Sequence, residues 1–264
     1  MEPVRPLLFL PLAFVLACSS SPDASDAGDD ASAEASADAG DAGPTAAEQA
    51  AFAQLVADTS GFLAKGHAPG ASIAVVLHGK LAFAAGVGNK NQKGDPVTTS
   101  TLFEVASMSK MIVAATAMSL VDEGKLDLAA PITTYVPWFA LANGYDASTI
   151  TLERLLSHSA SFPCDTIAQC GTTTSGPRET FFAANPQPLW APVGAIYDYS
   201  NTGFALAATV IEAAAGAAPG AYEQLARDRV FSPAGMTTAT FDATAAGAAD
   251  HATGYEIDST GKVT

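Results

Sequence analysis

Three features of the sequence predict an α+β fold. Ala71–His78 (ASIAVVLH), a Gly79-Lys80 turn and Leu81–Ala85 read as a β-hairpin. A block of apolar helices follows, from Met111-Ile-Val-Ala-Ala-Thr-Ala-Met118 to about Phe231. A second strand signal lies at Gly254–Ile257 and Lys262–Val263, around Ser259-Thr260-Gly261. A two-stranded hairpin is marginal by itself. Its sheet partners are therefore expected from this closing pair or from chain beyond Thr264, and the sheet is expected to be incomplete within the 264 residues.

The elements follow in order. Thr45–Lys65 carries Phe52, Leu55, Val56, Phe62 and Leu63 at helical spacing, with Gly66 closing it. Pro69-Gly70 breaks the chain before the hairpin, and Gly86–Thr99 reads as loop. A short apolar piece, Leu102 onward, runs into a helix that reaches about Glu123, with Gly124 at C′. Residues 124–137 read as a packed, irregular connection. Thr151 is placed to cap a short helix bearing Leu152, Leu155 and Leu156, which ends in Ser157-His158-Ser159-Ala160-Ser161. Helices are expected near Arg178–Ala184, over Thr202–Ala215 (stopped by Gly216 and Pro219) and over about Ala221–Phe231, before a Ser232–Met236 turn.

Composition narrows the function. Hydrophobic residues make up 48% of the chain, ample for a core, and the formal net charge is −15. With Lys+Arg 12 against Asp+Glu 27 and no basic stripe, nucleic-acid binding is disfavoured. Seven acidic residues and no basic one lie between Ser19 and Pro44, the pattern of a solvated, disordered linker over residues 19–44. Before it, Arg5 and the apolar run Leu7–Leu16 read as an export signal, residues 1–18, too short for a typical membrane span. Val15-Leu16-Ala17-Cys18 resembles a bacterial lipobox, so Cys18 is the expected lipidation site. The chain is expected on the cell envelope, anchored by lipid on the periplasmic face or outer membrane, as a monomer. Outside the cytoplasm, Cys164 and Cys170 are expected to pair as a local disulfide. No metal is expected, because His158 beside these cysteines is too small a ligand set and His67, His78 and His251 show no ligand spacing. No cofactor is expected either.

The chemistry concentrates in Ser107-Met108-Ser109-Lys110. A serine three residues before a lysine puts hydroxyl and amine on one helical face, one turn apart. That pairs a nucleophile with a base able to take its proton. Ser107 stands at a helix start, where backbone N–H groups lack intrahelical partners. A second polar cluster, Tyr199-Ser200-Asn201, precedes another apolar helix. Taken alone, Tyr199 reads equally as a packed aromatic and Asn201 as a helix cap. No G-x-S-x-G occurs, which disfavours a nucleophile-elbow hydrolase.

Phe103-Glu104-Val105-Ala106-Ser107-Met108-Ser109-Lys110 resembles the active-site motif of the serine β-lactamase-related family, which includes class C β-lactamases, D-alanyl-D-alanine carboxypeptidases and esterases. Tyr199-Ser200-Asn201 is similar to its Y-x-N motif. Gly124–Leu128, Leu155–Ser159 and Pro233–Met236 are similar to further landmarks, in the family's order, from about Ala71 to Tyr255. The resemblance implies an antiparallel sheet flanked by helices plus a helical domain, spanning 45–264. It implies that Ser107 forms an acyl-enzyme, that Lys110 and Tyr199 move its proton, and that Asn201 holds Lys110 and the substrate. The Ser107 N–H would be one oxyanion donor. The substrate would be a small molecule or peptidoglycan-type carbonyl: β-lactam, D-Ala-D-Ala peptide or small ester.

Two departures accompany the resemblance. Ser161 stands where the family usually carries glycine, so that turn is expected to differ. The family's third motif, K-T-G or H-x-G on a late strand, is not found; His251-Ala252-Thr253-Gly254 has the wrong spacing. The chain is therefore expected to be C-terminally truncated and weak in turnover, and the alternative is a non-catalytic binding protein that kept the fold. His158 reads as part of a structural turn.

Overall fold

In a computed structural model of the chain, the described residues are 43–163 and 178–255. Cys18, Cys164, Cys170 and most of the closing strand signal lie outside them. Pro44–Thr264 forms one compact unit.

Helix α1, Ala46–Gly66, begins with a capping box: the Thr45 side chain accepts from the Glu48 N–H, and Glu48 reaches back to the Thr45 N–H. Its end differs slightly from expectation. Gly66 is the last helical residue, and His67 takes the left-handed turn at φ 54. Strands β1, Gly70–Leu77, and β2, Lys80–Gly88, pair antiparallel in the register Ala74↔Ala84, with a bulge between Val75 and Val76. The turn is His78-Gly79 rather than Gly79-Lys80. Both its residues have positive φ (50 and 74), the conformation that matches the twist of a two-residue hairpin. Helix α1 lies on the hairpin, with Phe52 stacked on Phe83 at 4.7 Å. Among the described residues the sheet has only these two strands. One further pairing is a parallel bridge of Leu102 with His251, in which Leu102 N–H donates to Asp250 O and Ala252 N–H to Leu102 O.

The core is helical. Helix α5, Asn201–Ala214, is buried on nearly every face, as an apolar helix without a polar stripe must be. Around it pack α2 (Ser109–Asp122), α3 (Leu152–Leu156), α4 (Arg178–Ala184) and α6 (Tyr222–Ala226). Leu120, Ile150, Leu155, Phe162, Phe182 and Leu206 are fully buried between them. Helix α2 ends in a Schellman motif, with Gly124 at φ 68, Lys125 N–H on Leu120 O and Gly124 N–H on Val121 O. Thr151 caps α3 through the Arg154 N–H. The connection between α2 and α3 is irregular, with 3₁₀ turns at Ile132–Thr134 and Ala147–Thr149.

Three local details depart from expectation. The helix expected over 221–231 changes at Arg227 into a π-type turn, Arg227–Phe231. An unanticipated short helix, α7, covers Ala243–Ala248, capped by Asp242. Ser161 keeps a glycine-type backbone, φ 62, while fully buried. Its hydroxyl donates to Pro192 O at 3.1 Å and its carbonyl accepts from Trp190 N–H at 2.9 Å. These bonds offset the strain of placing a side chain in that region.

Candidate active site

Ser107 sits in a 3₁₀ turn, Ala106–Met108, that runs directly into α2. The residue before it, Ala106, holds φ 44, a strained value for a residue with a Cβ. The tight turn leaves Ser107 exposed at the start of the helix, where the first N–H groups have no intrahelical acceptor. One turn on, Lys110 is half-buried, and its Nζ donates to Ser107 Oγ at 3.1 Å.

The other half of the site comes from the start of α5. Ser200, not Asn201, is the N-cap: its Oγ accepts from the Gly203 N–H at 3.1 Å. Asn201 is thereby relieved of capping and points its Oδ1 at Lys110 Nζ, 2.7 Å away. Tyr199, immediately before the cap, donates its hydroxyl to Ser107 Oγ at 2.6 Å. The Lys110 ammonium also lies 4.6 Å from the Tyr199 ring centroid and 5.5 Å from that of Phe204, within cation–π range. All four residues singled out from the sequence are thus brought together, across 92 positions of chain between Ser107 and Tyr199. Packing of α2 against α5 achieves this by bringing their N-termini side by side.

His158 completes the surroundings. It follows α3 at φ 58 and packs its ring 4.4 Å from Tyr199, 5.0 Å from Phe204 and 5.8 Å from Tyr197. Its Nδ1 accepts from the Ser200 N–H at 3.0 Å. Burial, and secondarily the Lys110 charge, hold its pKa below the ordinary 6.5, against an opposing pull from Asp198. Sequence reasoning placed His158 in a structural turn and missed this contact with the site. Its lone signal was membership of a landmark near the motifs. Phe204, one turn into α5, carried no signal at all.

Among the described residues no group of three or more His, Cys, Asp or Glu side chains is placed to hold a metal ion. What the arrangement offers instead is an exposed hydroxyl with two polar hydrogens on it. An ammonium and a phenol both donate to the Ser107 oxygen, and the Asn201 amide oxygen accepts from the ammonium.

A family model described as Beta-lactamase matches residues 49–263. The chain belongs to the β-lactamase family. Among curated relatives, "Penicillin-binding protein 4" of Amycolatopsis lactamdurans is 32% identical over 171 residues, 64% of this chain and 44% of that protein. Among solved structures, the octameric penicillin-binding protein homologue from Pyrococcus abyssi superposes with a TM-score of 0.67 at 26% identity, over 81% of this chain and 50% of that one. The D-amino acid amidase from Ochrobactrum anthropi superposes with a TM-score of 0.63 at 25% identity, over 80% and 59% respectively. The chain therefore spans less than half the length of the curated relatives it matches. Its fold is the β-lactamase/transpeptidase fold of these β-lactamase-family structures, with helices and a small antiparallel sheet.

Proposed function

We propose that the chain is a serine acyl hydrolase, forming an acyl-enzyme at Ser107 on a small amide or ester carbonyl. The observation that carries this is the convergence of Tyr199 Oη (2.6 Å) and Lys110 Nζ (3.1 Å) on Ser107 Oγ. In the reaction, one member of the Lys110–Tyr199 pair acts in its deprotonated form, as the Lys110 amine or the Tyr199 phenolate, and takes the Ser107 proton as Oγ attacks the carbonyl carbon. The same proton then goes to the departing amine or alkoxide as the carbonyl–heteroatom bond breaks. Water hydrolyses the ester that remains and regenerates Ser107. Asn201 keeps Lys110 aimed at the nucleophile, and the Ser107 N–H is one oxyanion donor in this reading. A penicillin-binding protein and a D-amino acid amidase among its relatives support β-lactams, D-configured peptides and small esters as the substrate class.

A fluorescent penicillin or fluorophosphonate tests the reading directly. The chain is expected to take up one label, mapped to Ser107 by peptide mass spectrometry, and Ser107→Ala to take up none. Undiminished labelling in Ser107→Ala, or an unlabelled wild type, removes the acyl-enzyme mechanism. Stoichiometric labelling with no release of product from a nitrophenyl ester would assign covalent binding in place of hydrolysis.

A further inference from the structure

Tyr199 is held from both sides by one residue. The N–H of Asp198, just before it, donates to the His158 carbonyl oxygen at 2.9 Å. The N–H of Ser200, just after it, donates to His158 Nδ1 at 3.0 Å. Between these two bonds the imidazole packs 4.4 Å from the phenol ring, at an interplanar angle of 33°. An imidazole nitrogen that accepts a hydrogen bond carries no proton, so His158 is neutral in this arrangement, with its proton on Nε2.

We propose that neutral His158 is the positioning residue for Tyr199, fixing the phenol on Ser107 through the two backbone bonds that bracket it. This rests on the acyl-enzyme reading for its effect on rate, and on geometry alone for the clamp. Protonation of Nδ1 removes the acceptor for the Ser200 N–H and places a second cation beside Lys110. Both changes loosen the turn that delivers Tyr199 and, one residue after the cap, Asn201. The clamp therefore opens in acid and makes the site pH-sensitive. Burial and the Lys110 charge push this opening to a pH below that of an ordinary histidine.

Among the described residues, the charged and titratable groups near His158 come from three segments. Helix α2 contributes Lys110, and the segment before α5 contributes Tyr197, Asp198 and Tyr199. On the α3 side, Arg154 reaches Ser159 Oγ at 3.4 Å. All of them persist when His158 alone is changed, which makes substitution informative. His158→Asn keeps a neutral side-chain acceptor, and asparagine tolerates the left-handed backbone at φ 58. His158→Ala removes the acceptor and the ring.

The experiment measures the rate of Ser107 acylation by a nitrophenyl ester or fluorophosphonate from about pH 5 to pH 8, the range in which histidine titrates. The wild type is expected to lose rate on the acid side. His158→Asn is expected to stay within about tenfold of wild type near neutrality and to lack that acid limb; one hydrogen bond is worth about this factor. His158→Ala is expected to fall by about 10- to 100-fold in acylation rate with little change in KM. An acid limb of unchanged midpoint in His158→Asn would overturn the proposal, because the limb would then belong to one of the neighbours. NMR of the wild-type chain gives a readout independent of activity. The Ser200 amide shift is expected to follow the His158 ring titration, and a Ser200 amide that stays flat through it sinks the clamp. If Ser107 acylates with nothing, the hydrolase reading fails while the Ser200–His158 titration still decides the clamp.

Discussion

At the scale of residues, the site depends on which side chain is spared for it. Capping α5 by Ser200 frees Asn201, and Asn201 then accepts from the Lys110 ammonium at 2.7 Å. A hydrogen bond to a charged group contributes about 1.5–3 kcal/mol, so Asn201→Ala is expected to slow Ser107 acylation by about 10- to 100-fold. Stopped-flow acylation with a nitrophenyl ester checks this, and a rate within twofold of wild type would show that Lys110 is held by other contacts. The neighbours of the cap were readable from sequence as a motif, but the division of labour between Ser200 and Asn201 was not. Both serine and asparagine are good caps, and only the backbone geometry of residue 200 assigns the role.

At the scale of elements, the position of α5 is secured by one buried acid. Glu212, 2% exposed, accepts from Arg178 Nη2 of α4 at 2.7 Å and from the Tyr222 N–H of α6 at 2.8 Å. It thus ties three helices at the end of α5 opposite the site. Breaking a buried pair by deleting one partner is strongly destabilising. Arg178 keeps about a third of its side chain in solvent, so Glu212→Ala is expected to cost about 3 kcal/mol, the lower end of that range. The measurement is a urea unfolding midpoint at constant m-value; a shift worth under 1 kcal/mol would make the tie incidental. Most of these helices were legible beforehand. Arg178–Ala184 is found with the expected bounds, and the capping of α3 by Thr151 follows the expected pattern. The π-type turn after α6 was not legible, because Arg227–Phe231 contains no glycine or proline to mark a break in the helix.

For the whole molecule, acid is expected to weaken the fold first through His158 and then through paired carboxylates such as Glu123. His158 has a folded pKa below 6.5, so its neutral form is favoured by folding; the stability it contributes is present above pH 6.5 and is lost as the pH falls through the lower folded value. Glu123, hydrogen-bonded first by Arg229 and then by Lys125, is lowered from 4.5 to about 2, and its contribution is lost between those values as the pH falls. Thermal unfolding is therefore expected to show Tm declining below pH 6.5 and again below pH 4.5, the first decline vanishing in His158→Asn. An identical profile in that variant would assign the first decline elsewhere. Envelope attachment is a separate proposal that rests on the sequence at Cys18. Cells expressing the chain are expected to incorporate labelled fatty acid into it, and Cys18→Ser to abolish incorporation.

The sequence by itself pointed to the α+β class, to the family and to four candidate side chains. The class is written in local pattern, alternation in the hairpin and apolar period in the helices, and Ser107 with Lys110 in their spacing; the family and the choice of Tyr199 and Asn201 came from the resemblance to the family's motifs. Only the tertiary structure decided that the two motifs share one oxygen, that Ser200 caps so that Asn201 need not, and that His158 brackets Tyr199. Those facts depend on α2 and α3 packing against α5, contacts between segments some 40 to 90 residues apart that no local pattern encodes. A residue's type limits the bonds it can make, while burial and the direction of neighbouring backbone choose among them.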